Sequence, residues 1–175
     1  LITQQKIVGV ADSGSIPSEA IRLDVGGRLI TPGLIDMHTH GALGTTFNEP
    51  SIESFATITR ENLSRGVTSL LATLAPAPIP DLVQCLEFCQ TWMNSHRDGT
   101  RVLGMYLETP YVSLAQNGAL NPKYGRLPND GTPDILLEHH DIIKVFMIAP
   151  ELEGALELYA KIDRLGIVPA AGHSS

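Results

Sequence analysis

The sequence has 175 residues and is 43% hydrophobic, which is enough apolar material for one sizeable core. Twelve Lys and Arg against 19 Asp and Glu give a formal net charge of −7, so a nucleic-acid or anionic-membrane surface is not expected. No apolar run approaches the roughly 18 residues of a membrane span. A small-molecule substrate, including a small anion, remains the expected partner, and a homodimer stays open as an assembly.

The two cysteines, Cys85 and Cys89, are four residues apart in a predicted helix. Two thiols alone rarely hold a metal, so we interpret them as reduced core residues, which suits a reducing compartment. No signal peptide opens the chain, and we expect a cytoplasmic protein. Because the sequence starts at Leu1 and stops at Ser175 just after an apolar segment, we expect it to be truncated.

The first part of the chain predicts a fragment of a small β-sandwich domain over residues 1–31. Short apolar strands are expected at 7–10, 21–25 and 28–30, because turn-forming residues separate them. Thr31-Pro32-Gly33 then marks the passage into a second domain over residues 32–175.

From residue 32 onward, apolar strands alternate with amphipathic helices. Ser51 can cap the first helix and Gly66 suits its end. The remaining order is interrupted by one long Pro- and Gly-rich segment at 109–132. The predicted strands are 34–37, 67–74, 102–107, 142–149 and 167–171, and the predicted helices are 51–65, a helix from about Asp81, a short helix from Pro133 and 152–165.

Continuous apolar strands alternating with helices predict an α/β fold, a parallel sheet with helices outside. Four strand–helix units and a fifth strand fit slightly more than half of a (β/α)8 TIM-type barrel, which takes about 250 residues. A five-stranded doubly wound sheet is the competing architecture, but no glycine-rich phosphate loop follows the first strand.

Four potential metal ligands fall at predicted strand ends: His38 and His40 after the first, Glu108 after the third and His173 after the fifth. Carboxyl-terminal strand ends share one rim of a barrel, where reactive groups gather. Residues i and i+2 of a strand share a face about 6.6 Å apart along it, so the His38-Thr39-His40 pair can converge on one cation.

Each ligand also has an ordinary interpretation, as a core or surface histidine or a solvated glutamate. Three independent strand ends that each offer a suitable group favour the metal site. Three histidines and a glutamate suit zinc, or Fe, Mn or Co, better than Ca or Mg. The other histidines, His96, His139 and His140, follow predicted helices and are interpreted as surface residues.

The stretch at 31–41, TPGLIDMHTHG, resembles the opening motif of the amidohydrolase superfamily. Residues 106–110, 118–122, 149–151 and 170–174 resemble the N-acetylglucosamine-6-phosphate deacetylases in order and spacing. This resemblance implies a metal-dependent amide hydrolase that releases acetate from N-acetylglucosamine 6-phosphate, giving glucosamine 6-phosphate.

The resemblance also implies the roles of the site residues. Glu108 and His173 would hold the hydrolytic metal together with a histidine from a later strand, and His38 and His40 would support a second ion. An aspartate on the eighth strand would move the proton. Neither later residue lies in this sequence, so no catalytic residue is assigned, and the fragment alone is expected to be inactive.

Three positions depart from the family pattern. Thr109 stands where the family usually has Gly, and Thr46 replaces a common acidic residue in the first loop. Leu120 stands where a histidine helps to polarise the acetyl carbonyl, beside Asn121 in the implied substrate-binding segment. Two alternatives therefore remain: an amidohydrolase acting on a different N-acyl substrate, and a non-catalytic homologue.

Overall fold

The computed structural model describes residues 1–4, 6–95 and 98–175. The chain divides into two compact units, Leu1–Gly33 and Leu34–Ser175. His96, predicted to be a surface residue at a helix end, lies outside the described residues. No helix in the described ranges is long and apolar enough to cross a membrane.

The first unit contains a two-stranded antiparallel sheet of β1 (Ile2–Thr3) and β2 (Lys6–Ile7), and a 3-10 turn at Ser13–Ser15. The prediction of strands at 21–25 and 28–30 is wrong, because neither segment forms a strand. Of the strand predicted at 7–10, only Ile7 lies in a strand. Strand propensity requires a partner and a surface to cover, and the described residues offer neither to residues 21–30. Ile21 and Leu23 are almost fully exposed.

The second unit contains the remaining elements, and their order confirms the predicted alternation. Most boundaries fall within three residues of the predicted ones, and Val67–Leu74 matches fully. A short antiparallel hairpin after the first strand was not predicted. The elements are β3 (Leu34–Thr39), β4 (Gly41–Ala42), β5 (Thr45–Thr46), α1 (Ile52–Ser64), β6 (Val67–Leu74), α2 (Ile79–Ser95), β7 (Arg101–Glu108), α3 (Thr132–Leu137), β8 (Ile143–Ile148), α4 (Ala155–Arg164) and β9 (Val168–Ala171).

Five parallel strands form one sheet in the order β3-β6-β7-β8-β9. The strands lie side by side in the same order as in the chain, as they do in a barrel. In a doubly wound sheet the strand order would reverse at a switch point within the sheet, so the structure excludes that alternative. The fold is therefore the expected partial TIM-type barrel.

The core fills the space between the helices and the sheet. Phe55 of α1 is fully buried and contacts Phe47, Phe88 and Trp92, with ring centroids 4.9–5.5 Å apart. Helix α1 begins at Ile52 because the Ser51 hydroxyl accepts the N–H of Ser54. Parallel strands supported in this way bring their carboxyl ends to one edge of the sheet.

Candidate metal centre

Three strands place the four predicted ligands at this carboxyl edge. His38 lies in β3 and His40 directly follows that strand, Glu108 is the last residue of β7, and His173 follows β9 by two residues. The sheet order puts β7 in the middle, with β6 separating it from β3 and β8 separating it from β9. The glutamate therefore stands between the two histidine sources.

The imidazoles of His38 and His40 converge on the Glu108 carboxylate. Their Nε2 atoms lie 3.3 Å apart. His40 Nε2 is 3.1 Å from Glu108 Oε2, and His38 Nε2 is 3.7 Å from Oε1. The candidate ligand atoms of these three residues all lie within 4.8 Å of one another, so they can hold one metal ion.

His173 reaches the same carboxylate from the other side. Its Nε2 lies 3.2 Å from Glu108 Oε1, while its Nδ1 lies 2.8 Å from the carbonyl oxygen of Gln116. That carbonyl can only accept, so Nδ1 carries a proton, and Nε2 is the nitrogen that faces the cluster. The structure thus brings all four predicted residues together, with His173 outside the tighter group of three.

Two polar atoms at this edge have no hydrogen bond of good geometry among the described residues. Glu108 is 7% exposed, and its Oε2 makes no well-aligned hydrogen bond in spite of the nearby His40. His40 Nδ1 is buried and unpaired as well. A buried carboxylate oxygen without a donor is costly unless a cation approaches it, so the donor set fits a bound metal ion.

The electrostatics favour the metal-binding forms of Glu108 and His38. Burial alone would raise the pKa of Glu108, but contacts with His40, His173 and His38 outweigh it and hold that pKa below its ordinary value. Burial lowers the pKa of His38, which the Glu108 charge offsets only in part. An ionised carboxylate and a neutral imidazole are the forms that bind metal.

The loop after β7 explains why Thr109 is compatible with the site. Its hydroxyl donates to the carbonyl of Met147 in β8 and accepts the N–H of Tyr111 at 3.2 Å. The threonine is buried and both hydroxyl roles are satisfied. It therefore ties the loop that leaves Glu108 to the neighbouring strand.

The implied substrate segment adopts local turn structure. Leu120 is half-buried and its N–H donates to Asn117 O at 2.9 Å. The Asn121 side chain accepts the N–H of Lys123 at 3.1 Å and caps a 3-10 turn at Pro122–Tyr124. The Leu120 side chain has no donor to offer a substrate. The roles of both residues in binding stay predictions.

Several contributors to the site were not assigned a role from the sequence. Tyr106 of β7 packs its ring against His38, with centroids 4.5 Å apart and planes at 70°. The Asp36 carboxylate accepts the His38 N–H at 3.0 Å. A tyrosine two residues before Glu108 shares its strand face, so Tyr106 could have been found by extending the i, i+2 rule. The Gln116 carbonyl could not, because it is a backbone group.

Comparison with known proteins identifies the family. The amidohydrolase family model matches residues 29–165. The N-acetylglucosamine-6-phosphate deacetylase of Vibrio furnissii is 31% identical over 98% of this chain and 45% of its own length, and that of Haemophilus influenzae is 28% identical over all of this chain and 45% of its own. The chain thus spans less than half the length of these relatives.

Solved structures agree with this result. The N-acetyl-D-glucosamine-6-phosphate deacetylase of Mycobacterium smegmatis is similar with a TM-score of 0.75 and 29% identity, over 82% of this chain and 40% of that one. The Pasteurella multocida deacetylase gives a TM-score of 0.83 at 24% identity, over 93% of this chain and 42% of that one, and supports the fold alone. The chain belongs to the amidohydrolase family.

Proposed function

We propose that the full protein is a metal-dependent amide hydrolase that deacetylates N-acetylglucosamine 6-phosphate to glucosamine 6-phosphate and acetate. The observation that carries this proposal is the convergence of His38, His40 and Glu108 from two strands, with their ligand atoms within 4.8 Å. The names of the relatives add the substrate class.

In this proposal the ligands are His38, His40, Glu108 and His173, and they hold one or two divalent ions. Glu108 would be the ligand shared by the whole set, because its Oε1 faces His38 and His173 and its Oε2 faces His40. Imidazole and carboxylate donors favour Zn, with Fe, Mn or Co as the other candidates.

The bound cation supplies Lewis acidity towards the amide carbonyl and lowers the pKa of water. The chain's own residues supply the geometry. Glu108 stays ionised and His38 neutral, because their pKa values are both held low. The Gln116 carbonyl fixes the ring orientation of His173. We assign no acid–base residue within the described part of the chain; the family resemblance places that aspartate on an eighth strand.

A different N-acyl substrate is the second candidate, and Leu120 favours it. Its side chain cannot donate a hydrogen bond to an acyl oxygen. In addition, an Escherichia coli relative that is 28% identical over 84% of this chain is named an N-acetylgalactosamine-6-phosphate deacetylase. Two phosphorylated amino sugars are therefore the substrates to compare first.

We also propose a reducing compartment such as the cytoplasm. Cys85 and Cys89 are buried free thiols, and burial raises their pKa to about 11 and about 12. Neither is a reactive thiolate at neutral pH. Both therefore behave as core residues.

The test is acetate release by the full-length protein with added Zn²⁺, using N-acetylglucosamine 6-phosphate and N-acetylgalactosamine 6-phosphate in parallel. Release from the first that stops on chelation and returns with metal supports the proposal. Release only from N-acetylgalactosamine 6-phosphate would correct the assigned substrate and leave the assigned reaction, deacetylation, in place. A folded, metal-loaded protein that releases acetate from neither contradicts the assigned substrate class.

The matched variants for this assay are Glu108→Gln and Glu157→Gln. The first removes the central carboxylate, and the second changes an exposed glutamate on α4 that is remote in sequence from the ligands. Activity must be lost in the first variant and kept in the second.

A further inference from the structure

The strand that carries both histidines is irregular at that point. The pairing of β3 with β6 shifts twice: β6 has one extra residue opposite the step from Leu34 to Ile35, and β3 has one extra residue between Asp36 and Thr39. Such a bulge bends a strand and redirects its side chains, and bulges are frequent beside active sites. His38 lies inside this bulge.

The two imidazoles meet at this irregular segment. The Nε2 atoms of His38 and His40 are 3.3 Å apart, and the two rings meet edge to face with centroids at 5.0 Å. Because both rings are carried by this short segment, its backbone contributes to the direction in which each ring points.

Side chains hold the backbone N–H groups of this irregular segment. The His38 N–H donates to the Asp36 carboxylate on the same strand. The Thr39 N–H, between the two ligands, donates to the Oγ1 of Thr73 at 3.0 Å. Thr73 belongs to β6, so its contact ties the bulge to a neighbouring strand.

Thr73 is suited to this role by its position. It is fully buried, and it is paired in register with Tyr106 of β7, the residue whose ring contacts His38. It is not in the three-residue ligand group. A buried hydroxyl facing the apolar interior of a strand needs a partner, and here the partner is the N–H between two metal ligands.

We infer that Thr73 is a positioning residue of the metal centre: its hydroxyl accepts the Thr39 N–H and thereby fixes the bulge that aims His38 and His40 at a common cation. This inference rests on the proposed metal site and extends it to a residue on a strand that carries no ligand. Loss of the acceptor leaves the bulge free to shift, so the two imidazoles separate and metal affinity falls.

The test compares Thr73→Val, which keeps the shape and removes the acceptor, with Thr73→Ser, which keeps the acceptor. Zn²⁺ affinity of the full chain is measured by competition with a chromophoric chelator. We expect Thr73→Val to weaken binding about tenfold, as changes behind a first coordination shell do, and Thr73→Ser to stay within about twofold of wild type.

Thr100→Val is the matched control. Thr100 is equally buried, but its hydroxyl donates to Val67 O at the amino end of β6, the opposite end of the sheet. Its loss is expected to lower stability and to leave Zn²⁺ affinity unchanged. Equal loss of affinity in both valine variants would show a general effect of destabilisation and would overturn the positioning role.

Hydrogen exchange of the Thr39 amide gives a second readout that requires neither metal nor activity. We expect this amide to be protected in metal-free wild type and in Thr73→Ser, and to exchange at least about tenfold faster in Thr73→Val. If Thr73→Val fails to fold, an unprotected Thr39 amide in wild type would still overturn the inference.

The outcomes also separate this inference from the proposed function. Tight Zn²⁺ binding by wild type with no change in a folded Thr73→Val overturns the positioning role and leaves the metal centre intact. Absence of Zn²⁺ binding by wild type contradicts both.

Discussion

Strands β3 and β7 both deliver metal ligands, but they are built differently. Central β7 pairs with a strand on each side, and most of its side chains are buried, including Leu107 at 2% exposure. In the described residues β3 pairs only with β6, and its Ile35 and Met37 are each 65% exposed. The centre therefore combines one ligand from a strand that is paired on both sides with two from a strand that, within the described residues, is paired on one side.

The two strands also position their ligands by different means. The ladder is regular at Glu108 itself: after an irregularity between Met105 and Tyr106, residues 106–108 pair one to one with 145–147 of β8. His38 and His40 depend on a bulge supported by side chains, Asp36 and Thr73, and on the ring of Tyr106. Glu108 thus lies in a continuous ladder, whereas the two histidines have side-chain contacts that hold their backbone and one ring.

The largest expected effect is that of Glu108→Gln on the central strand. It removes the charge that all three imidazoles face, so Zn²⁺ affinity should fall by more than about a hundredfold, beyond the ~10–100-fold of outer-shell changes. Chelator competition measures this. Near wild-type affinity in a folded Glu108→Gln would mean that the core strand does not anchor the ion.

Substitutions in the two strands should change the free energy of unfolding by different amounts, because their side chains are buried to different extents. Leu107→Ala should lower the free energy of unfolding of the 175-residue chain by about 2–5 kcal/mol, because it leaves a cavity in the core. Ile35→Ala on β3 should change it by no more than about 0.5 kcal/mol. Urea unfolding followed by circular dichroism distinguishes them, and equal losses would remove the contrast.

Acid should weaken the centre through ligands of both strands. The pKa of His38 is lowered from its ordinary 6.5 by burial, and that of Glu108 is also lowered on balance, because its imidazole contacts outweigh the effect of burial. For both groups the pKa in the folded protein is lower than in the unfolded protein. Each group therefore contributes to the free energy of unfolding at pH values above its unfolded pKa, and this contribution is lost as the pH falls through its folded pKa.

Metal binding should follow the same direction, because protonated ligands do not coordinate. We expect Zn²⁺ affinity to fall as pH is lowered below the ordinary His38 value of 6.5, and to fall further as Glu108 protonates. Calorimetric titrations across this range provide the measurement. A flat affinity from neutral pH down to about pH 4, near the ordinary carboxyl value, would contradict these assignments.

The smallest expected effect concerns the brace between the two strands. Tyr106→Ala should weaken Zn²⁺ binding by roughly two- to tenfold, because an aromatic pair contributes about 0.5–1.5 kcal/mol. Tyr106→Phe keeps the ring contact with His38 and should bind like wild type. An equal loss in both variants would assign the effect to the hydroxyl instead of the ring.

Much of the fold follows from sequence, because local periodicity and strand-end position are local properties. The apolar run at Val67–Leu74 and the serine cap of α1 are both legible in the residues themselves. The rule that parallel strands end at one edge was sufficient to place Glu108 beside the histidines. Those features require no knowledge of side-chain contacts.

The rest depends on non-local contacts. Residues 21–30 have a strand-like pattern but no partner strand among the residues that the structure describes, so the pattern does not produce strands there. The bulge in β3 arises only when β6 is paired beside it, and Thr73 looks like an ordinary strand residue until the Thr39 N–H is located. The position of the Gln116 carbonyl against His173 depends on the folded loop.

The most direct test of the metal centre is a crystal structure of the full-length protein with Zn²⁺, using anomalous diffraction at the zinc edge. We expect a peak about 2.0–2.2 Å from Nε2 of His38 and His40 and from a Glu108 oxygen. A strongest peak at another group, such as His139 and His140, with these three side chains more than about 3 Å from any ion, would contradict the assignment.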